Sequence, residues 1–385
     1  MFTLRQYLLA LLDSRGLTRT LGEIDVCRDE QGRPCFSAGN SAAVFRIRLG
    51  GRIRSLRCYL RPMRHLKEIY GQRLLEKELY LHTSPETGVW VDTVLGDWIE
   101  GSTLHETVAQ AAALRDRESL QILVRLFDRL ALALVTDDRA HGDLKPENII
   151  VGDDGTLCPI DFDASYLPAF AGEISPELGT AAYQHPARTA ADFDERIDDY
   201  PAALISTALH ALAEDPTLWD RYGSSDGLLY TPQRIASDPA YRETLALFEK
   251  RGMAVQYRIA QLLTAPTLRL FGLAELLAEA VREKPAARSG TEAETPELFV
   301  ENGRWGYRTA ERVVVAPLYD NGFDFTEGLA AVQLGGTWHY IDTAGTRLSC
   351  PGCAAVKPFR GGKAQVVRNG ERQEIAHPLK TPRYQ

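Results

Sequence analysis

Apolar residues recur at intervals of three and four in several stretches, the spacing that puts them on one face of a helix. Leu4, Leu8, Leu11 and Leu12 predict a short amphipathic helix over about 3–13. Leu120, Leu123, Phe127, Leu130 and Leu134 predict a long one over 118–136, with a buried stripe. Further helices are expected around 64–77, 199–213, 240–262 and 271–283. The early part of the chain reads differently. The runs 44–49 and 53–60 are rich in β-branched and aromatic residues and are separated by Gly50-Gly51, which predicts a hairpin. Residues 78–81 and 93–95 read as further strands. Small strands followed by long helices indicate an α+β unit.

Residues 284–296, running from Lys284-Pro285 to Thr295-Pro296, carry no large apolar side chain and read as a linker. A repeat follows it. Phe325, Gly328, Ala330 and Val332 recur as Phe359, Gly362, Ala364 and Val366, offset by 34 positions, and Trp305-Gly306-Tyr307 recurs as Trp338-His339-Tyr340. Self-similarity at a fixed period indicates stacked units that bury their faces on one another, here small β-hairpins or meanders. With Pro317, Tyr319 and Asp320, this segment resembles the WG-repeat family. Arg372 stands where the last copy would carry its tryptophan, as expected of a terminal cap. Trp305 and Trp338 are expected to be core anchors rather than ligand platforms.

Composition narrows the class only modestly. In 385 residues, 44% hydrophobic and 25% charged content suffices for two or three folded units. No apolar run approaches the roughly 20 residues that span a bilayer, and residues 1–12 lack the pattern of a secretory signal. A cytoplasmic protein without membrane contact is expected. A net charge of -8 disfavours nucleic acid as a partner. Cys58 and Cys158 lie in apolar, strand-like runs, and reduced thiols are expected throughout. Cys350-Pro351-Gly352-Cys353 is half of a zinc site, and with His339 and His377 isolated it reads as a turn with incidental cysteines.

The candidate chemistry lies in His141-Gly142-Asp143-Leu144-Lys145-Pro146-Glu147-Asn148, followed by Ile160-Asp161-Phe162-Asp163. Two carboxylates, a lysine and an asparagine at this spacing are the parts that hold a metal nucleotide and orient a hydroxyl for phosphoryl transfer. The string resembles the protein kinase superfamily, whose catalytic loop reads H-R-D-L-K-x-x-N and whose metal motif reads D-F-G. The resemblance implies Asp143 as the carboxylate that orients the substrate hydroxyl and Lys145 as the cation that neutralises the moving phosphate. It implies Asn148 and Asp161 as ligands of Mg²⁺, with Mn²⁺ a substitute, and ATP as cofactor.

Neighbouring segments follow in the order the family has them, over roughly 33–283. Residues 37–44 occupy the place of the glycine-rich loop with Gly39 and Val44, although two of the three glycines are absent. Ser55-Leu56-Arg57 aligns with the strand motif V-A-I-K and puts Arg57 at the nucleotide lysine, an exchange that is not conservative. Its carboxylate partner is expected to be Glu68, with Glu76 as the alternative. In the hinge-like segment 93–104, Asp97 and Ile99 would offer backbone groups to adenine, and Gly96 falls at the gatekeeper, where a hydrogen side chain should open the rear of the pocket. Gly142 lacks the arginine that pairs with a phosphorylated activation loop, so no such switch is expected. Asp163 replaces a glycine, implying either a stiffer loop or a further cation ligand. Residues 179–187 resemble the segment that closes the activation loop, with Ala187 in place of its glutamate. Asp198 matches the aspartate that braces the catalytic loop.

The expected architecture is a bilobal α+β kinase-like fold with a small β-rich N-lobe, a mostly helical C-lobe and a small all-β repeat domain. The boundaries are 1–32 for a helical extension, 33–104 for N-lobe and hinge, 105–284 for the C-lobe, 285–297 for the linker and 298–380 for the WG repeats. The expected function is transfer of the γ-phosphoryl group of ATP to Ser or Thr hydroxyls of a protein substrate, with the repeats as a protein-interaction surface. The alternatives are a nucleotide-binding pseudokinase and a small-molecule phosphotransferase, since His-Gly-Asp and Ile-Asp-Phe-Asp also resemble aminoglycoside and choline kinases.

Overall fold

A computed structural model describes residues 1–152, 156–282, 295–301, 303–310, 312–343, 345, 347–368 and 371–377. Most of the segment expected as a linker lies outside them. The chain divides into two compact units, Met1–Ile99 and Glu100–Gln385.

The first unit is built on an antiparallel sheet. Its strands are β1 (Asp25–Val26), β2 (Phe36–Ala38), β3 (Ala42–Leu49), β4 (Arg52–Tyr59), β5 (Leu74–His82) and β6 (Gly88–Asp97), in the order β1-β3-β4-β6-β5 with β2 also on β3. The β3–β4 hairpin turns at Gly50 and Gly51, both with positive φ, and Leu49 pairs with Arg52. Two successive residues with positive φ make the turn whose twist matches that of the strands. Helix α1 (Leu4–Leu12) begins at a capping box of Thr3 and Gln6 and lays Tyr7, Ala10 and Leu11 on Phe45, Ile47, Leu56, Cys58, Leu79 and Leu81. Tyr7 Oη closes the contact by donating to the Tyr59 carbonyl at 2.6 Å.

The helix expected over 64–77 is much shorter. Helix α2 covers only Leu66–Tyr70, followed by a 3₁₀ turn at Gly71–Arg73, and β5 begins at Leu74. Gly71 leaves the helix with φ 52° and ψ -125°, and Leu74 and Leu75 then pair with Val94 and Thr93 of β6. Sheet pairing has taken residues whose spacing also suits a helix.

The second unit carries the remaining helices: α3 (Leu104–Ala113), α4 (Arg117–Thr136), α5 (Asp199–Glu214), α6 (Leu218–Tyr222), α7 (Pro239–Arg251), α8 (Ala254–Leu262) and α9 (Leu273–Arg282). All five stripe residues of α4 are buried in the largest core cluster. The helix expected over 240–262 is two, because Gly252 takes a left-handed conformation and the amide of Met253 returns to the Phe248 carbonyl, a helix stop. A small sheet of β7 (Gly101–Thr103), β8 (Ile149–Gly152) and β9 (Leu157–Pro159) flanks the segment 141–148.

The C-terminal part is all β. One sheet holds β10 (Glu297–Glu301), β11 (Arg304–Arg308) and β12 (Val313–Tyr319). The other runs in sequence order through β13 (Asn321–Gly322), β14 (Leu329–Leu334), β15 (Thr337–Asp342), β16 (Arg347–Val356), β17 (Lys363–Arg368) and β18 (Glu371–Ala376). The repeat is visible in its packing. Tyr307 stacks edge-on against Phe325 and donates to the Phe323 carbonyl at 2.7 Å, and Tyr340 packs against Phe359 and donates to the Lys357 carbonyl at 2.7 Å. Trp338 is buried in one repeat core and Trp305 packs against the other, so both tryptophans are core anchors.

Two expectations about the cysteines are corrected. β16 runs through Cys350–Cys353, where a turn was expected, and Cys353 is disulfide-bonded rather than a free thiol. The side chain of Cys350 lies outside the described residues. Cys27, Cys35, Cys58 and Cys158 are free.

Candidate active site

Five of the sequence-predicted residues or their supports come together in the second unit, where α4 ends and the chain enters the β8–β9 ladder. Pro146, with its fixed φ, starts a 3₁₀ turn that ends at Asn148. The Asn148 side-chain nitrogen donates back to the Asp143 carbonyl at 2.9 Å and to its carboxylate at 3.2 Å. Lys145 Nζ lies 3.3 Å from Asp143 Oδ2, while the backbone amide of Thr180 donates to Oδ1 at 2.6 Å. Lys145 also donates to the Thr180 hydroxyl at 2.8 Å. The carboxylate of Asp143 is therefore held from three directions, with Lys145 shared between it and Thr180.

Asp161 is brought beside this group by the ladder. Ile149 pairs with Pro159, and the Ile160 amide donates to the Asn148 carbonyl at 2.9 Å, so Ile160 stands opposite Asn148 and Asp161 is the next residue along the chain. Asp161 has φ 67° and ψ 65°. A left-handed non-glycine residue costs about 1–3 kcal/mol and persists where its surroundings determine it. Asp163, at the position of the family's glycine, sits instead in a 3₁₀ turn with ordinary φ and is buried. The unusual backbone belongs to Asp161, so no glycine is needed at 163.

Below the loop, Asp198 is fully buried. Its carboxylate accepts the backbone amides of His141 and, at 3.0 Å, Gly142. Burial pushes its pKa up, and His141, the two amides and Arg188 pull it down. His141 Nε2 meets the Ile160 carbonyl at 2.8 Å and Nδ1 receives the Asp143 amide at 3.4 Å, which ties residues 141–143 to the residue that follows β9. Gly142 has φ 81°, and a Cβ there would overlap the carbonyl oxygen of Ala164. Its lack of a side chain is a packing requirement, which spacing in the sequence does not reveal.

The predicted nucleotide residues lie in the first unit. Val44, Arg57 and Val94 form one row across β3, β4 and β6, and Arg46, Ser55 and Gly96 form the next but one. These rows share the sheet face opposite the α1 core, because Phe45, Leu56 and Leu95 alternate with them. Gly39 is exposed in the β2–β3 turn, its amide donating to the Ala42 carbonyl at 2.9 Å. Asp97 ends β6 and pairs with Arg54 at 3.3 Å, while its backbone carbonyl accepts Ser55 Oγ at 3.1 Å. Ile99 follows, half-buried and outside any element. Glu68 is exposed on α2, and Glu76 is paired with Lys67 at 3.3 Å. At Gly96 the space is not open as expected, since Ser55 Oγ lies 2.8 Å from where a Cβ would stand.

Asn148 and Asp161 fit a small hard cation of the Mg²⁺ type. The side-chain nitrogen of Asn148 is used on Asp143, which leaves its side-chain oxygen outside that contact. Among the described residues no three His, Cys, Asp or Glu side chains form a metal cage. Mg²⁺ typically binds through one or two protein oxygens, phosphates and water, which two ligands of this kind satisfy.

Comparison with known proteins agrees with both parts of the chain. Residues 308–338 match the family model of the WG containing repeat. Over 172 residues the chain is 28% identical to CBL-interacting protein kinase 17 of Oryza sativa subsp. japonica, covering 42% of this chain and 35% of that protein. Over 113 residues it is 34% identical to the serine/threonine-protein kinase PknL of Mycobacterium tuberculosis, covering 28% of this chain and 27% of that protein. The chain thus spans about a third or less of the relatives it matches. It is kinase-like at low identity over part of its length and carries a WG repeat.

Proposed function

We propose that the chain is an ATP- and Mg²⁺-dependent phosphotransferase of the Ser/Thr protein kinase type, with a bilobal kinase architecture over about 33–284 and the WG repeats as a surface for protein partners. The observation that carries this reading is the interlock of Asp143, Lys145, Asn148 and Thr180 beside the left-handed Asp161. Asp143 would orient the substrate hydroxyl and accept its proton as the oxygen attacks phosphorus. Lys145, already shared between Asp143 and Thr180, would balance charge on the phosphoryl group in flight. Asn148 and Asp161 would hold the metal, which when bound neutralises the nucleotide phosphates. Gly39, Val44, Arg57, Glu68, Asp97 and Ile99 are the proposed nucleotide contacts. The part played by Thr180 favours a protein substrate over a small molecule, because the segment 179–187 belongs to the pattern of protein kinases.

One observation favours a second reading, a nucleotide-binding protein that transfers poorly. Helix α2 has only five residues and Glu68 on it is exposed, a weak platform for a carboxylate that must hold Arg57. Purified protein with Mg²⁺ and labelled ATP distinguishes the two. Phosphorylation of the chain itself or of a generic protein, abolished by Asp143→Asn, supports the first reading. No transfer, with ATP still raising the melting temperature, supports the second.

A further inference from the structure

Gly142 occupies the position where the catalytic string would carry an arginine, and the structure leaves no room for a side chain there. A guanidinium reaches the same peptide from elsewhere in the sequence. Arg188 is 8% exposed, and its Nη1 donates to the Gly142 carbonyl at 3.1 Å and to the side-chain oxygen of Gln184. Its Nε and Nη2 are buried with no protein partner. Gln184 is itself 5% exposed, and its side-chain nitrogen, the Gly142 carbonyl and Asp143 Oδ1 all lie within 3.0 Å of where a Cβ of Gly179 would stand. Gly179 has φ 73° and leads directly into Thr180, whose amide holds Asp143.

We infer that Arg188 is a positioning residue for Asp143, supplying from the 179–188 segment the cation that position 142 cannot carry. This rests on the phosphotransfer reading of the same site. The Gly142 peptides are gripped at both ends, the N–H by Asp198 and the C=O by Arg188, and the Cα packs against Ala164. The Gly142 carbonyl belongs to the peptide that leads into Asp143, so Arg188 fixes the plane from which Asp143 departs, while Asn148, Lys145 and Thr180 hold its carboxylate. Burial disfavours the charge of Arg188, and Asp198, Asp143, Asp192 and Asp194 around it favour the charge. A buried hydrogen-bonded cation flanked by carboxylates is the arrangement in which truncating the cation is most damaging.

The test uses the full chain and the variants Arg188→Lys and Arg188→Met, with kcat and the KM for ATP measured separately. Arg188→Met is expected to lower kcat about a hundredfold with the KM for ATP within about threefold, the scale of a misplaced catalytic group. Arg188→Lys should recover part of the loss. An unchanged kcat in Arg188→Met, or a parallel collapse of kcat, ATP affinity and melting temperature in both variants, overturns the inference. Amide hydrogen exchange gives a readout that does not depend on turnover. In Arg188→Met the Thr180 amide should exchange at least tenfold faster while amides in the α4 core are unchanged. If the unmodified chain transfers no phosphate, the phosphotransfer reading fails, and exchange at Thr180 still decides the role of Arg188: unaltered protection there overturns it.

Discussion

Single residues decide more at this site than the motif string suggests. Gly142 and Asp163 look alike in sequence, each a departure from a familiar pattern, and the structure separates them. Gly142 is required by a positive φ and by the Ala164 carbonyl, whereas Asp163 has no positive φ and the left-handed residue of this segment is Asp161. Asp199, next to the bracing Asp198, shows a different effect. It is buried, its carboxylate accepts the Leu270 amide at 3.3 Å, and desolvation raises its pKa to about 7. The folded state therefore keeps a proton that the unfolded chain releases near pH 4, so stability is greatest below that value and falls as pH rises towards about 7. The loss is about 4 kcal/mol over that window, on the scale of 1.36 kcal/mol per pKa unit. Asp199→Asn should remove this part of the pH dependence. Thermal melts at pH 5 and pH 8 check it, since the variant should gain on the unmodified chain only at the higher pH.

At the scale of elements, patterns that specify a local shape were readable and those that depend on a partner were not. Gly50-Gly51 between two β-rich runs gave the hairpin, because the turn geometry needs only those two residues. The 64–77 stretch misled, because its apolar spacing suits a helix until Leu74 and Leu75 find β6. The cysteine segment misled similarly, since Pro351-Gly352 suggests a turn and β16 instead continues through it as an irregular stretch between the Leu348–Tyr340 and Cys353–Trp338 pairs. In the repeats, the tryptophan reading followed from the packing unit itself. Trp338 is 8% exposed and tilts against Phe323 at 5.2 Å. Trp338→Ala should destabilise the repeat by about 3–5 kcal/mol. Calorimetry should show the β-rich transition moving down while the helical transition stays in place.

At the scale of the whole chain, the separation of cores carries the prediction. The cluster that packs α3 to α9 spans Leu104 to Leu277 and draws no residue from the repeats, whose own clusters begin at Leu298. The ion pair Arg125–Asp342, at 3.7 Å and with both side chains mostly covered, joins the two regions. A chain ending at residue 294 should keep the helical core folded, with its melting temperature within a few degrees of the full protein. Circular dichroism measures this, and a lost helical transition would show that the repeats complete the core. No described helix is long and apolar enough to cross a membrane.

Residue order alone placed the candidate chemistry: Asp143, Lys145 and Asn148 share one short segment, and the β8–β9 ladder returns the chain to Asn148 just before Asp161. The helices with a regular apolar stripe and the repeat period were equally legible, because each is a short-range pattern. The tertiary structure decided what depends on distant segments. Thr180 and Arg188 reach Asp143 and Gly142 from about forty residues away, and the Ala164 carbonyl forbids a side chain at 142. Ser55 fills the space beside Gly96, and sheet pairing shortens α2. Contacts between segments far apart in sequence leave no periodicity to read, so only the folded chain assigns them.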